Sequence, residues 1–140
     1  MKDLNRLFLS FFLFVILLLS CSPSVPENYA ESDELPKIYP DYMDVTIPVN
    51  IAPLTFELDE EADGMIARYK AGDVEVVCEE KMQPTMSEWR DLVSQGDDIN
   101  VDVYVKHGEK WIHHKPFAMH VSADSIDSYL GYRLIPSSIS

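Results

Sequence analysis

The rhythm of apolar and polar residues changes several times along this chain. Leu7–Leu19 is apolar throughout except for Ser10, with Lys2 and Arg6 ahead of it. Residues 22–40 lose all periodicity and hold four of the nine prolines (Pro23, Pro26, Pro36, Pro40) among Glu27, Glu31, Asp33 and Glu34. From Asp41 onward the period becomes two, the alternation of half-buried strands. Thr46-Ile47-Pro48-Val49 and Leu54-Thr55-Phe56-Glu57-Leu58 form the first pair, separated by Asn50–Pro53. Pro48 and Pro53 remove backbone donors, which places this stretch at a sheet edge. Met65–Tyr69 and Val74–Cys78 flank Ala71-Gly72-Asp73, a hairpin turn signal.

Ile99–Lys106 alternates without interruption. Ile99, Val101, Val103 and Val105 point one way, and Asn100, Asp102, Tyr104 and Lys106 the other. Gly108 turns the chain; Trp111–His114 and Phe117–Val121 bring it back, with Pro116 bending the last strand or starting a bulge. One helix interrupts the strands. Thr85-Met86-Ser87-Glu88 reads as a capping box, Trp89, Leu92 and Val93 share a face, and Gly96 stops the helix.

Strands at this spacing, with Pro/Gly turns and one short helix, predict a mainly β fold. The expected architecture is a small antiparallel β-sandwich, Ig-like in outline. It is preceded by a signal peptide (1–20) and a disordered acidic tether (21–40). The sandwich is placed at 41–124 and a truncated connector at 125–140. The tether assignment rests on composition: its few apolar side chains cannot offset the entropy lost on ordering.

The N-terminal run is too short to span a bilayer. Leu7–Leu19 makes about 20 Å of helix, against a hydrocarbon core of about 30 Å. It is followed by Leu18-Leu19-Ser20-Cys21, which resembles the lipobox of bacterial lipoproteins. The resemblance implies cleavage before Cys21 and attachment of acyl chains, palmitate among them, to the new N-terminus. An uncleaved anchor, or a signal cut elsewhere, is the alternative; the cysteine directly after Leu-Leu-Ser favours the lipobox. Ser22, in place of an aspartate, implies outer-membrane sorting by the same resemblance. Ser32-Asp33-Glu34 is similar to the acidic export signals of Bacteroidetes surface lipoproteins, but stands farther from the cysteine.

Charge narrows the partners. The whole chain carries a formal charge of −13. Without residues 1–20, 9 basic and 23 acidic side chains remain, a formal −14. Such a field repels phosphate backbones, so nucleic acid is excluded as a partner. With Cys21 consumed by lipid, Cys78 has no cysteine to pair with and reads as a small buried hydrophobe.

Candidate chemistry is sparse. His113 and His114 are neighbours in a strand and point to opposite faces. His107 and His113, with Glu109, approach each other across the Gly108 turn as a poor zinc site; histidines on an exposed sheet face are the plainer reading. Asp59-Glu60-Glu61-Ala62-Asp63-Gly64 lacks the alternating ligand spacing of a calcium loop and reads as a solvated connection. Trp89, Trp111 and Phe117 would make a carbohydrate platform only if exposed, and two of them fall at core positions. No catalytic residue, cofactor or metal ligand is assigned.

A wider resemblance covers most of residues 38–135. Ile38–Phe56 is similar to the opening of a family of Bacteroidetes lipoproteins. The likeness returns at Trp89-Arg90-Asp91-Leu92, at Lys110-Trp111 with Lys115-Pro116-Phe117, and at Ile126–Ile135. In that family the region precedes a c-type haem attachment motif (Cys-X-X-Cys-His) and a TolB-like β-propeller, and members are labelled TolB-like or cytochrome c biogenesis proteins. This sequence contains neither feature, so haem binding is not carried over. Its departure after Leu134-Ile135 reads as truncation, from a gene fragment, a frameshifted copy or a divergent short paralogue. Tyr129, Leu130 and Leu134 are then expected to lack a covering domain.

The expected function is that of a lipid-anchored, non-enzymatic extracytoplasmic module, a spacer or binding domain facing the periplasm or cell exterior. A stand-alone surface lipoprotein that binds glycan or protein is the alternative. An exposed aromatic strip would favour that binder, and buried tryptophans the spacer.

Overall fold

The computed structural model describes residues 1–17, 23–79, 81–96 and 98–127, with the side chains of 13–17 excepted. The lipidation candidate Cys21 and the connector residues from 128 on lie outside the described residues.

A helix, α1 (Lys2–Leu17), opens the chain. Its Leu4, Leu7, Phe8, Leu9, Phe11 and Phe12 are all exposed. No helix among the described residues is long and apolar enough to cross a membrane. The rest is mainly β. Among the described residues nine strands follow: β1 (Ala30–Glu31), β2 (Ile38–Tyr39), β3 (Thr46–Pro48), β4 (Glu57–Leu58), β5 (Gly64–Ala71), β6 (Val74–Glu79), β7 (Ile99–His107), β8 (Lys110–His113) and β9 (Phe117–Ser122). One further helix, α2 (Met86–Ser94), lies between β6 and β7.

The main sheet runs β1-β8-β7-β5-β6, with β9 also on β7 and β3 on β9. Strands β2 and β4 form a separate antiparallel ribbon. The long strands pair antiparallel as the alternation predicts. Two short pairings, β1 with β8 and β3 with β9, are parallel instead. As expected, β3 sits at an edge, bonded only to β9.

The β5–β6 hairpin closes at Gly72-Asp73, between the paired Ala71 and Val74. Gly72 takes a left-handed φ of 52°, as the tight primed turns require. The capping box of α2 is present: the Thr85 amide donates to Glu88 Oε2 at 2.8 Å, and the Glu88 amide donates to Thr85 Oγ1 at 3.4 Å.

Strands β8 and β9 lie along the same flank of β7 and act as one strand broken by a bulge. Tyr104 pairs with His113, and Val101 with Phe117. Two residues of β7 therefore face His114, Lys115 and Pro116, one residue more than a regular ladder allows. The His114 amide still donates to the Val103 carbonyl at 3.0 Å. Pro116 has no amide to lose there.

One face of the sheet is the core. Ala67, Tyr69 and Ala71 of β5, Val76 and Cys78 of β6, and Ile99, Val101, Val103 and Val105 of β7 cluster with Phe117 and Met119. Ile47 of β3 joins them, and Trp89, Leu92 and Val93 of α2 with Phe56 and Ile38 supply the opposing layer. A small sandwich results, whose second layer is a helix, a two-stranded ribbon and a loop.

The stretch read as a tether departs from that reading at Tyr29. Residues 30–31 pair with β8, and Ile38 and Pro36 are buried. Composition misses this because the segment contributes little apolar area of its own. Its order comes from backbone bonds to a bulged edge formed some eighty residues later.

Candidate functional site

On the sheet face away from the core, opposite partners in the ladders place Ile66, Tyr104, His113 and Glu31 in one row. Arg68 and Asp102 lie in the next. Alternation alone assigns all of these to solvent. Yet Tyr104 is 1 % exposed, Asp102 8 % and His113 9 %. The expectation that these histidines lie on an exposed surface is thereby corrected, for His114 as well as His113.

Asp102 tolerates burial because its oxygens are occupied. Arg68 Nε and Nη2 donate to Asp102 Oδ2 at 3.0 and 2.9 Å. His113 Nε2 lies 2.8 Å from Asp102 Oδ1, and Nδ1 lies 2.8 Å from Glu31 Oε2. Carboxylates only accept, so both contacts become hydrogen bonds when each ring nitrogen carries a proton. Burial works against the charge of Arg68, but its hydrogen bonds and attraction to Asp102 outweigh that and hold its pKa above the ordinary value.

Aromatic rings close this cluster. Tyr104 stacks on His113 at 4.5 Å and 14°. Tyr29 meets both edge-on, at 5.2 Å from Tyr104 and 5.3 Å from His113. Burial, the largest influence, raises the Tyr104 hydroxyl pKa.

The segment carrying Tyr29 is bonded along its length. The Ser32 amide donates to the His113 carbonyl at 2.9 Å, and the Lys115 amide to the Glu34 carbonyl at 3.0 Å. His114 Nδ1 donates to that same Glu34 carbonyl at 3.2 Å, which leaves the buried Nε2 without a partner. The β8–β9 bulge turns the Lys115 donor outward to meet this strap.

A second imidazole lies between two acids at the β3–β9 edge. His120 Nε2 is 2.6 Å from Asp44 Oδ1, and Nδ1 is 3.0 Å from Asp98 Oδ1. Asp44 adopts a left-handed φ of 56°, which aspartate tolerates better than most side chains. The hydrogen bond to Asp44, then that to Asp98, raises the His120 pKa above its ordinary 6.5. The folded state thus binds this proton more tightly than the unfolded chain. Its stabilisation is complete below about pH 6.5 and is lost as pH rises through the folded-state value. Urea midpoints measured from about pH 6 to 8 should fall for the wild type relative to His120→Gln. Parallel curves would remove this clamp from the pH response.

In both triads the carboxylates approach different nitrogens of one ring, so they bridge it rather than converge on an ion. Among the described residues no group of three or more His, Cys, Asp or Glu is arranged to hold a metal. His107 pairs with Lys110, three rungs from His113, about 10 Å along the strand. The two do not share a site. In the Asp59–Gly64 connection, Asp63 Oδ2 accepts from the Gly108 amide at 2.6 Å and ties the acidic loop to the β7–β8 turn.

The other candidates fall in packing roles. Cys78 is buried, and burial pushes its thiol up to about 11, with Glu88 adding to the effect. Trp89 is 0 % exposed and Phe117 is in the core, whereas Trp111 is half-buried on the other face under Lys106, whose Nζ lies 5.8 Å from its ring. The three do not form one platform. Sequence reasoning missed the Arg68–Asp102–His113–Glu31 chain and its Tyr29 cover. The available signal was a charged residue, Asp102, flanked by Val101, Val103 and Tyr104 within a strand.

No protein-family model, curated protein or solved structure matches the chain.

Proposed function

We propose that this protein is a lipid-anchored extracytoplasmic module, held through Cys21 in the cell envelope, that acts as a spacer or binding domain without catalysis. The observation that carries the reading is the isolation of α1. Leu4, Leu7, Phe8, Leu9, Phe11 and Phe12 are exposed, and the core of the β domain includes none of them. An apolar helix that the fold does not use, ending four residues before Cys21, is what a cleaved export signal requires. Outer-membrane placement, and a place as the N-terminal module of a TolB-like lipoprotein architecture, belong to the same proposal.

Expression in a Gram-negative host with labelled palmitate tests it. The wild type should incorporate label, lose residues 1–20 and sediment with membranes. Cys21→Ser should carry no label and accumulate uncleaved. Label retained on the Cys21→Ser protein, or a mature N-terminus elsewhere, would refute the anchor. A second reading, a glycan- or protein-binding surface lipoprotein, draws support from half-buried Trp111 and partly exposed Tyr29 on the non-core face. Retention on a polysaccharide affinity gel that depends on Trp111 would favour it.

A further inference from the structure

The strap over the non-core face leaves an imprint of what that face can recognise. Residues 30–31 add a short parallel strand to the β8 edge. Tyr29 lays its ring against Tyr104 and His113, and the Glu31 carboxylate takes His113 Nδ1. Tyr104, Asp102 and His113 beneath are nearly buried, whereas the strap is exposed: both residues of β1 are open to solvent, Tyr29 is 42 % exposed, and the Glu31 side chain is 70 % exposed. Arg68, Asp102 and Tyr104 of the acceptor are built into the long strands β5 and β7, on which β8 lies; its occupant is a short segment.

We propose that the β8 edge, with Tyr104, His113 and the Arg68–Asp102 pair, is a docking site for an extended peptide of a partner protein. That peptide carries an aromatic residue and, two positions later, a carboxylate, and it binds by displacing residues 29–34. The chemistry follows from the resident segment. Strand addition supplies backbone bonds to the β8 edge, as the Ser32 amide makes to the His113 carbonyl. The aromatic side chain meets the stacked Tyr104–His113 pair, edge-on as Tyr29 does. The carboxylate replaces Glu31 on an imidazole whose other nitrogen is already held by Asp102. The spacing of two is set by the strand, which returns to the same face at every second residue. An apolar or basic residue at the second position leaves His113 Nδ1 without its acceptor, and glutamine offers an acceptor without the charge. The strap is then the gate: in its closed position it keeps the site filled in cis.

The full mature chain tests this with Tyr29→Ala/Glu31→Gln, which loosens the strap and leaves the acceptor intact. The probe is a labelled peptide of residues 28–35, Asn-Tyr-Ala-Glu-Ser-Asp-Glu-Leu. Hydrogen exchange should show faster exchange at Ser32 and Lys115, with protection in β7 unchanged. Anisotropy should show the peptide binding the loosened variant at least about tenfold more tightly than the wild type, and the glutamate-to-glutamine peptide losing about the same factor. Adding His113→Leu to the loosened variant should abolish the difference between the two peptides. Absence of peptide binding to a loosened variant whose Ser32 and Lys115 amides exchange freely would overturn the proposal. So would a concentration-dependent dimer of the wild type with the strap traded between copies, which would assign the site to a second copy of the chain.

Discussion

Trp89→Ala should lower the unfolding free energy by about 3–5 kcal/mol, the usual loss for truncating a fully buried tryptophan. Trp89 is 0 % exposed in the layer that α2 lays on the sheet, and its indole donates to the Ile51 carbonyl at 3.0 Å. The substitution removes a large apolar contact and one of the links between α2 and the loop before β4. A domain of this size holds only about 5–15 kcal/mol in total, so most of the margin disappears. The melting temperature should fall by roughly 15–30 °C. Trp89→Phe separates the two contributions, since it keeps much of the apolar contact and loses the hydrogen bond. A shift of only a few degrees for Trp89→Ala would mean that α2 does not close the core.

The second large effect belongs to Asp102. Asp102→Ala should cost about 2–3 kcal/mol, below the 3–5 typical of a broken, fully buried ion pair because Arg68 remains partly solvated. The damage comes from what is left behind. Arg68 and His113 lose a shared acceptor in the middle of a sheet, beside buried Tyr104. Replacing the cluster as a unit, Arg68→Met with Asp102→Leu and His113→Leu, should recover much of the loss, because no unpaired charge then stays behind. Urea midpoints of the single and triple variants decide the matter. A single variant within 0.5 kcal/mol of the wild type, the range of ordinary surface changes, would show that the pair is solvated.

The parts of this fold that depend on local pattern were legible in the sequence. The alternation of Ile99–Lys106 is the core strand β7, Gly72 closes the β5–β6 hairpin, and Thr85 with Glu88 starts α2. Pro116 marks a bulge. What stayed hidden depends on partners far away in sequence. Alternation puts Asp102 on the face opposite the core valines, correctly, but says nothing about what covers that face. The cover is Tyr29 and Glu31, in a stretch whose proline and acid content reads as disorder. Its order requires the bulge at His114–Pro116, which turns the Lys115 amide toward Glu34. His113 and His114 look alike in the sequence; one is bridged between carboxylates and the other keeps a buried nitrogen unmatched.

Where the ordered domain begins sets how high it can ride above a membrane. From a lipidated Cys21 to Tyr29 the leash is eight residues, at most about 26–29 Å when fully extended. A tether running to Pro40 would have allowed roughly 60–70 Å. On the proposed anchor, the module would stay close to the headgroups while its strap is closed. Releasing residues 29–34 moves the first firm attachment to Pro36, fifteen residues from Cys21, and raises the ceiling to about 50–54 Å. Opening the strap would thus change the altitude of the domain, and a pull on the domain from a distant envelope layer would favour the open strap.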